Sequence, residues 1–161
     1  MSKVVFVCIV GLVVVSETAG ATEVAVYAAS NPWTDTGVVL TEGGYLDISA
    51  SGDWSGNVNA NPIVWYGPEG TGNPAPGIFL VPGVSSAALV GRIDSGPGFL
   101  VGLGGRFDAS DYGSGKFWLA FNDEIGAYSD NGGYVNVTFT PEPATLLLLG
   151  FGGLTLLRKR K

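Results

Sequence analysis

The chain has 161 residues, of which 46% are hydrophobic, and its eight basic and fourteen acidic residues give a net charge of −6. It has no histidine and a single cysteine, Cys8. The absence of histidine excludes the usual zinc sites, catalytic triads of serine or cysteine with histidine, and histidine general bases.

The first 21 residues have the features of a secretory signal peptide. Lys3 supplies a positive start, and Val4 to Val15 form an apolar run of the expected length. The small residues Ala19-Gly20-Ala21 suit a cleavage site, so we expect the exported chain to begin at Thr22. The alternative is a retained N-terminal anchor, which Glu17 and the small-residue site disfavour.

Residues 22–140 remain as one domain of 119 residues, which is long enough to bury a hydrophobic core. The domain has three basic and twelve acidic residues, a net charge of −9. Nucleic acid and anionic membrane surfaces are therefore poor partners for it, and divalent cations are better ones. Because Cys8 lies in the signal segment, the domain has no disulfide.

Alternating apolar and polar residues predict β-strands along most of this domain. The clearest alternation is at residues 45–50, 116–121 and 134–140. Shorter apolar runs predict further strands at 24–28, 38–40, 63–66, 78–81, 88–93 and 99–102. Turns rich in glycine and proline separate the runs, and no stretch follows a helical period. We therefore predict an antiparallel β-sandwich of about eight short strands.

The segment at 122–131, between two of these strands, carries the strongest chemical signal. It groups side-chain oxygens at Asp123, Glu124, Asp130 and Asn131 with free backbone carbonyls. Calcium takes roughly six to eight oxygen ligands and accepts carboxylates, amides and carbonyls together. The spacing is not that of an EF-hand, and the alternative is a solvated polar turn.

Five segments of the domain, taken in their order along the chain, carry a resemblance to a known family. They are Trp33–Val38, Leu46–Trp54, Gly67–Gly70, Ala88–Ile93 and the loop at 122–133. Together they resemble the calcium-dependent galactophilic lectin family of bacteria, and they span nearly all of residues 22–140. The resemblance implies a jelly-roll, galactose-binding-like β-sandwich that holds calcium between the protein and a sugar.

The resemblance also implies a set of calcium ligands. The carboxylate ligand of the family falls on Asp123, its later loop carbonyl on Ala127, and its two adjacent amide ligands on Asp130 and Asn131. Asp130 is an acid in place of an amide, which keeps an oxygen ligand and adds charge. A further backbone carbonyl falls in the preceding loop, near Asn57.

The resemblance implies that a sugar binds at the metal, beside Asp123, Asp130 and Asn131. In the lectins an opposite loop contacts the sugar through a histidine before a proline and a glutamine shortly after it. Here Asn73 stands in the first place and can still donate a hydrogen bond, but Pro76 stands in the second and cannot. The galactose specificity of the family is therefore not carried over.

Four aromatic residues of the domain, Trp54, Trp65, Tyr66 and Tyr128, offer rings that can stack on a pyranose. The alternative is that most of them fill the core or cap the edges of the sheets.

The last 21 residues, 141–161, have three parts in order. Pro141-Glu142-Pro143 is followed by an uncharged apolar run at 144–157 and by four basic residues at 158–161. This order resembles the PEP-CTERM sorting signal of exopolysaccharide-producing Gram-negative bacteria. The resemblance implies a transient membrane helix, processing by an exosortase, and release to the cell surface or matrix. The alternative is a plain membrane anchor, for which a helix of about 21 Å is short against a hydrocarbon core of ~30 Å.

The sequence thus predicts an exported, calcium-dependent carbohydrate-binding protein of the cell surface or exopolysaccharide matrix. The alternative is a structural matrix protein whose calcium loop only stabilises the fold. An enzyme is disfavoured because acid pairs such as Asp108 and Asp111 come without a visible nucleophile and base. The oligomeric state is open, and a homo-oligomer would give weak sites avidity.

Overall fold

The computed structural model of the chain describes residues 20–30 and 32–141. Most of the predicted signal peptide, the motif residues Glu142 and Pro143, and the apolar run at 144–157 lie outside the described residues. Within the two described ranges, no helix is long and apolar enough to cross a membrane.

Strands dominate the described part of the chain. They are β1 (Thr22–Tyr27), β2 (Thr34–Leu40), β3 (Tyr45–Ser55), β4 (Leu89–Ile93), β5 (Phe99–Leu100), β6 (Gly104–Asp108), β7 (Gly115–Phe121) and β8 (Gly132–Pro141). A single helical turn, α1 (Ala109–Tyr112), follows β6. A 3-10 turn at Tyr128–Asp130 lies just before β8.

The strands pair antiparallel into two four-stranded sheets. The first sheet has the order β1-β8-β3-β6, and the second has the order β2-β7-β4-β5. The chain changes sheet at every connection except that between β4 and β5, which is the strand order of an eight-stranded jelly roll. The predicted β-sandwich is therefore confirmed.

The core lies between the two sheets, and nearly every strand supplies buried side chains to it, as β7 and β8 illustrate. Phe117, Leu119, Val137 and Phe139 are completely buried at alternate positions, as the sequence pattern predicts. The rings of Phe117 and Phe139 meet edge to face across the sandwich with centroids 5.5 Å apart. The intervening residues face away from this core.

The predicted strands at 63–66 and 78–81 are wrong. Both segments are loops, and each contributes only an isolated bridge, at Tyr66 and at Phe79. Val81 packs instead in a small apolar cluster with a residue of β4 and one of β7. A short apolar run is compatible with a loop that covers a sheet as well as with a strand inside one.

The strand β6 was not predicted, because it begins with Gly104 and Gly105, a pair typical of turns. Gly104 has φ of 107°, and an added Cβ would collide with the Ile48 carbonyl of β3. Glycine is needed here for the close approach of two strands, which a sequence pattern does not distinguish from a turn.

Candidate functional site

A buried asparagine anchors the loop between β7 and β8. Asn122 is completely buried. Its side-chain oxygen accepts a hydrogen bond from the Val81 N–H at 2.9 Å, and its side-chain nitrogen donates to the carbonyls of Val81 and Ser85 at 3.1 and 3.0 Å. Because this amide is fully satisfied by the protein, its role is structural: it fixes the loop at 122–131 against the loop at 70–86.

Asp123 follows this anchor, and its Oδ2 accepts no hydrogen bond from the described residues. The Asp123 carbonyl accepts a hydrogen bond from the Leu80 N–H at 2.9 Å, and its Oδ1 accepts one from the Glu124 N–H at 2.7 Å. Its Oδ2 lies 3.8 Å from the position that a Cβ on Gly56 would occupy. The carboxylate is therefore held by one oxygen and directed with the other toward the loop that follows β3.

Asn131 brings a second oxygen to the same point. Its side chain is 6% exposed, and its Nδ2 donates to the Ala28 carbonyl at 3.2 Å. Its Oδ1 is buried, has no hydrogen-bond partner among the described residues, and lies 3.8 Å from the same position beside Gly56. An unpaired buried oxygen costs on the order of 1–3 kcal/mol. Such an oxygen is available to a water molecule or a bound cation.

Gly56 completes this cluster by leaving space. The loop that contains it is docked by a hydrogen bond from the Val58 N–H to the Asp130 carbonyl at 2.7 Å. The Asn57 side-chain oxygen accepts from the Asn59 N–H at 2.9 Å, and its backbone carbonyl accepts from the Ala60 N–H at 3.4 Å. A cleft of about 280 Å³ opens along this loop and is lined by both Gly56 and Asn57.

The other two predicted ligands lie in the same loop. Ala127 precedes the 3-10 turn at Tyr128–Asp130, and its N–H donates to the Glu124 carbonyl at 3.1 Å. Asp130 is half-buried, and its carbonyl is already used by the docked neighbouring loop. A ligand role for Asp130 therefore falls to its carboxylate, and one for Ala127 falls to its carbonyl.

The oxygens present suit calcium better than a transition metal. In the described part of the chain, no three Asp, Glu or Cys side chains converge on one point. One carboxylate oxygen of Asp123 and one amide oxygen of Asn131 each lie 3.8 Å from the position that a Cβ on Gly56 would occupy. Calcium accepts such a mixed set of oxygens, whereas zinc and copper prefer imidazole and thiolate. The residues fit calcium, and the full ligand set stays a prediction.

The structure adds Tyr128 to this neighbourhood. Its ring is buried, and its hydroxyl has no hydrogen-bond partner within the described residues. Burial, and then the nearby carboxylate of Asp123, raise the pKa of Tyr128 above its ordinary value, so the hydroxyl stays protonated at neutral pH. The sequence suggested only a ring for stacking, and no local signal points to a buried hydroxyl beside a carboxylate.

The three other aromatic residues predicted to stack on a sugar differ in their exposure to solvent. Trp54 is completely buried, and its indole N–H donates to the Ala87 carbonyl at 2.8 Å, so it belongs to the core. Tyr66 is half-buried. Trp65 is 50% exposed and is the one of the four predicted rings that is freely accessible from solvent.

Asn73 lies in the loop at 70–86, which Asn122 holds against the loop of the predicted metal ligands. Its side chain is exposed, and its backbone is fixed by a bond from the Ser86 N–H to its carbonyl at 2.9 Å. The two loops are therefore neighbours, as expected. A contact of Asn73 with sugar stays a prediction.

The family comparison bears on the C-terminus. The sequence pattern of the PEP-CTERM protein-sorting motif matches residues 139–161. The chain carries a PEP-CTERM sorting motif. The sorting signal predicted at Pro141, Glu142 and Pro143 is thereby confirmed, and the PEP-CTERM motif implies export and sorting to the cell surface.

The structural comparison bears on the domain. A search of the curated proteins finds no match. Among solved structures, the PEP-CTERM chain is similar to the N-terminal domain of EclA, described as a PllA-like lectin, with 26% identity and a TM-score of 0.57. The similarity covers 74% of this chain and 95% of that one. A lectin-like sandwich is therefore the fold of the described residues.

Proposed function

We propose that this protein is an exported, calcium-dependent carbohydrate-binding protein that acts at the cell surface or in an exopolysaccharide matrix. The sorting motif supports the destination, and the likeness to a lectin domain supports sugar as the ligand. One observation supports the calcium dependence: Oδ2 of Asp123 and the unpaired buried Oδ1 of Asn131 each lie 3.8 Å from the same position beside Gly56.

Calcium would be held by the side chains of Asp123, Asp130 and Asn131, the Ala127 carbonyl and a carbonyl near Asn57. When bound, the ion supplies positive charge and open coordination positions for sugar hydroxyls. The chain prepares this site by fixing the Asp123 carboxylate through one oxygen and the Asn131 amide through its nitrogen. The net charge of −9 on residues 22–140 also favours a cation there.

The sugar would approach from the exposed side of the loop at 122–131. Adjacent hydroxyls of a glycan would reach the metal beside Asp123, Asp130 and Asn131, and Asn73 would donate a hydrogen bond from the neighbouring loop. Pro76 supplies no such bond, so we propose a sugar preference different from that of the galactose-specific lectins.

We further propose that an exosortase-type enzyme recognises Pro141-Glu142-Pro143. The apolar run at 144–157 would hold the chain at the membrane until cleavage. No catalytic role is proposed for the domain itself.

The test is a calorimetric titration of the purified protein with monosaccharides and neutral oligosaccharides, with calcium and with chelator. We expect the sugar heat to be larger in calcium than in chelator, and this calcium-dependent difference to vanish in Asp123→Asn. Asp111→Asn removes the same charge from an exposed acid outside the loop at 122–131 and serves as the matched control. Equal sugar heats in calcium and in chelator for the wild type, or an unchanged difference in Asp123→Asn, would refute the calcium-dependent site.

A structural matrix protein is the second candidate. It is favoured by the loop at 70–77, where proline replaces a side chain that contacts sugar in the lectins. Calcium would then raise the melting temperature while every sugar titration stays flat.

A further inference from the structure

We propose a second, calcium-independent glycan-binding site in a groove on the outer face of the first sheet. The groove has a volume of about 440 Å³ and is lined by Trp65, Tyr134, Asp53, Asn136 and Ser51. This site does not rest on the calcium-dependent function proposed above, because none of these side chains belongs to the predicted metal site.

Strand register explains why polar side chains gather in the groove. Val135 in β8 is completely buried, so Tyr134 and Asn136 on either side of it face outward. Tyr134 pairs with Asp53 of β3, and Asn136 pairs with Ser51. Directly opposite residues have Cβ atoms about 4.5–5.5 Å apart. A phenol, a carboxylate, an amide and a hydroxyl are therefore presented together on one surface.

Trp65 is held over this surface by two backbone features. Gly133 has φ of 82°, and a Cβ there would collide first with the Asp53 carbonyl of β3 and would also come within 2.8 Å of the indole Cζ3, so both the β3 backbone and the ring lie against the absent side chain. The next residue, Tyr66, exchanges backbone hydrogen bonds of 2.8 and 3.0 Å with Trp54 of β3. The indole is thus positioned before any ligand arrives, which reduces the ordering cost of binding.

The aromatic surface continues along the same row of the sheet. Tyr27 of β1 pairs with Tyr134, and their ring centroids are 5.3 Å apart. Tyr27, Tyr134 and Trp65 are 54%, 47% and 50% exposed. Aromatic rings exposed together on a soluble protein mark a binding surface more often than isolated exposed residues do.

The lining determines the chemical class of the ligand. A pyranose has a face of C–H groups and a rim of hydroxyls, which match an indole and the surrounding polar groups. Asp53 and the net charge of −9 on residues 22–140 disfavour acidic polysaccharides. The groove volume lies within the range of about 300–1,000 Å³ typical of small-molecule sites. The fit is therefore to a short stretch of a neutral glycan.

The test is titration of the full chain, purified in a zwitterionic detergent so that no sugar detergent competes. The probes are cellotetraose, maltotetraose, mannotetraose and xylotetraose in chelator. We expect at least one to bind. Trp65→Ala should weaken that binding about tenfold or more, as expected for a central aromatic residue, while Trp65→Phe should retain most of it. Leu103→Ala, at an exposed apolar residue outside the groove, should leave it unchanged.

Three results would overturn the second site. The first is no heat with any tetrasaccharide in chelator, and the second is unchanged binding by Trp65→Ala. The third is a change in sedimentation of Trp65→Ala without a change in sugar binding, which would make the groove a self-association surface. None of these results changes the difference in sugar heat between calcium and chelator, which reports the metal site. Failure of the groove and failure of the metal site are therefore distinguishable.

Discussion

Two asparagines in one loop offer a direct test of the metal site. Asn131→Ala in chelator takes the donor from the buried Ala28 carbonyl, a loss on the order of 1–3 kcal/mol, and also removes the unpaired Oδ1, whose burial costs a similar amount. These effects oppose each other, so its free energy of unfolding should stay within about 1 kcal/mol of the wild type. Asn122→Ala is the matched control, because its amide is fully paired and buried. It should lose roughly 3 kcal/mol or more in chelator.

Calcium should then separate the two variants. A ligand at one hundred times its Kd stabilises the folded state by about 2.7 kcal/mol. For a domain of this size, that corresponds to a rise of roughly 10 °C in melting temperature. The wild type and Asn122→Ala should gain this rise, whereas Asn131→Ala should gain little of it. The assay is thermal unfolding followed by circular dichroism, with calcium chloride or chelator. A loss of 3 kcal/mol by Asn131→Ala in chelator, or an equal calcium response in all three proteins, would refute the reasoning.

Three further predictions concern other parts of the sandwich. Arg106 donates two hydrogen bonds of 2.9 Å to Asp47 and lowers the pKa of that carboxyl. The stability that this pair adds is therefore present above about pH 4 and is lost as the pH falls through the lowered pKa. In urea unfolding, the free energies of unfolding of Asp47→Asn and the wild type should become equal at acid pH. Burial raises the pKa of Tyr128, so the unfolded chain loses this proton first and stability should fall as pH rises above about 10. Because the buried hydroxyl has no partner within the described residues, Tyr128→Phe should match or exceed wild-type stability at pH 7 and lose less at pH 10.5 in urea unfolding. Gly133→Ala forces a side chain against the Asp53 carbonyl and the Trp65 ring at φ of 82°, so it should cost on the order of 1–3 kcal/mol in thermal unfolding and weaken tetrasaccharide binding in chelator, and unchanged binding would contradict the role given to that glycine.

The sequence predicted the parts of the fold that depend on local alternation. Strands β7 and β8 bury every second residue over long runs, so the sequence pattern predicts them without knowledge of the neighbouring strands. Strand β6 was missed because Gly104 is required by the closeness of Ile48 in β3, a contact between residues far apart in the chain. A strand was wrongly predicted at 78–81 because apolar residues of this loop, Leu80 and Val81, pack against a sheet that other segments form.

The candidate site was predictable only as a set of residue types. Asp123 and Asn131 were singled out by composition and by resemblance, and the structure brings both beside Gly56. That Gly56 is the third member, and that one oxygen of Asn131 is left unpaired, depends on how the loop after β3 docks on the turn before β8. Such docking is set by backbone hydrogen bonds between distant segments, which no local pattern reports.

The length of β8 has a consequence for how the protein is displayed. The loop of the predicted metal ligands leads into this strand at Gly132, and the sorting motif leaves it at Pro141. A strand of ten residues at about 3.3 Å each separates the two by ~30 Å. The strand therefore keeps the predicted metal ligands and the first residue of the sorting motif at opposite ends of the first sheet.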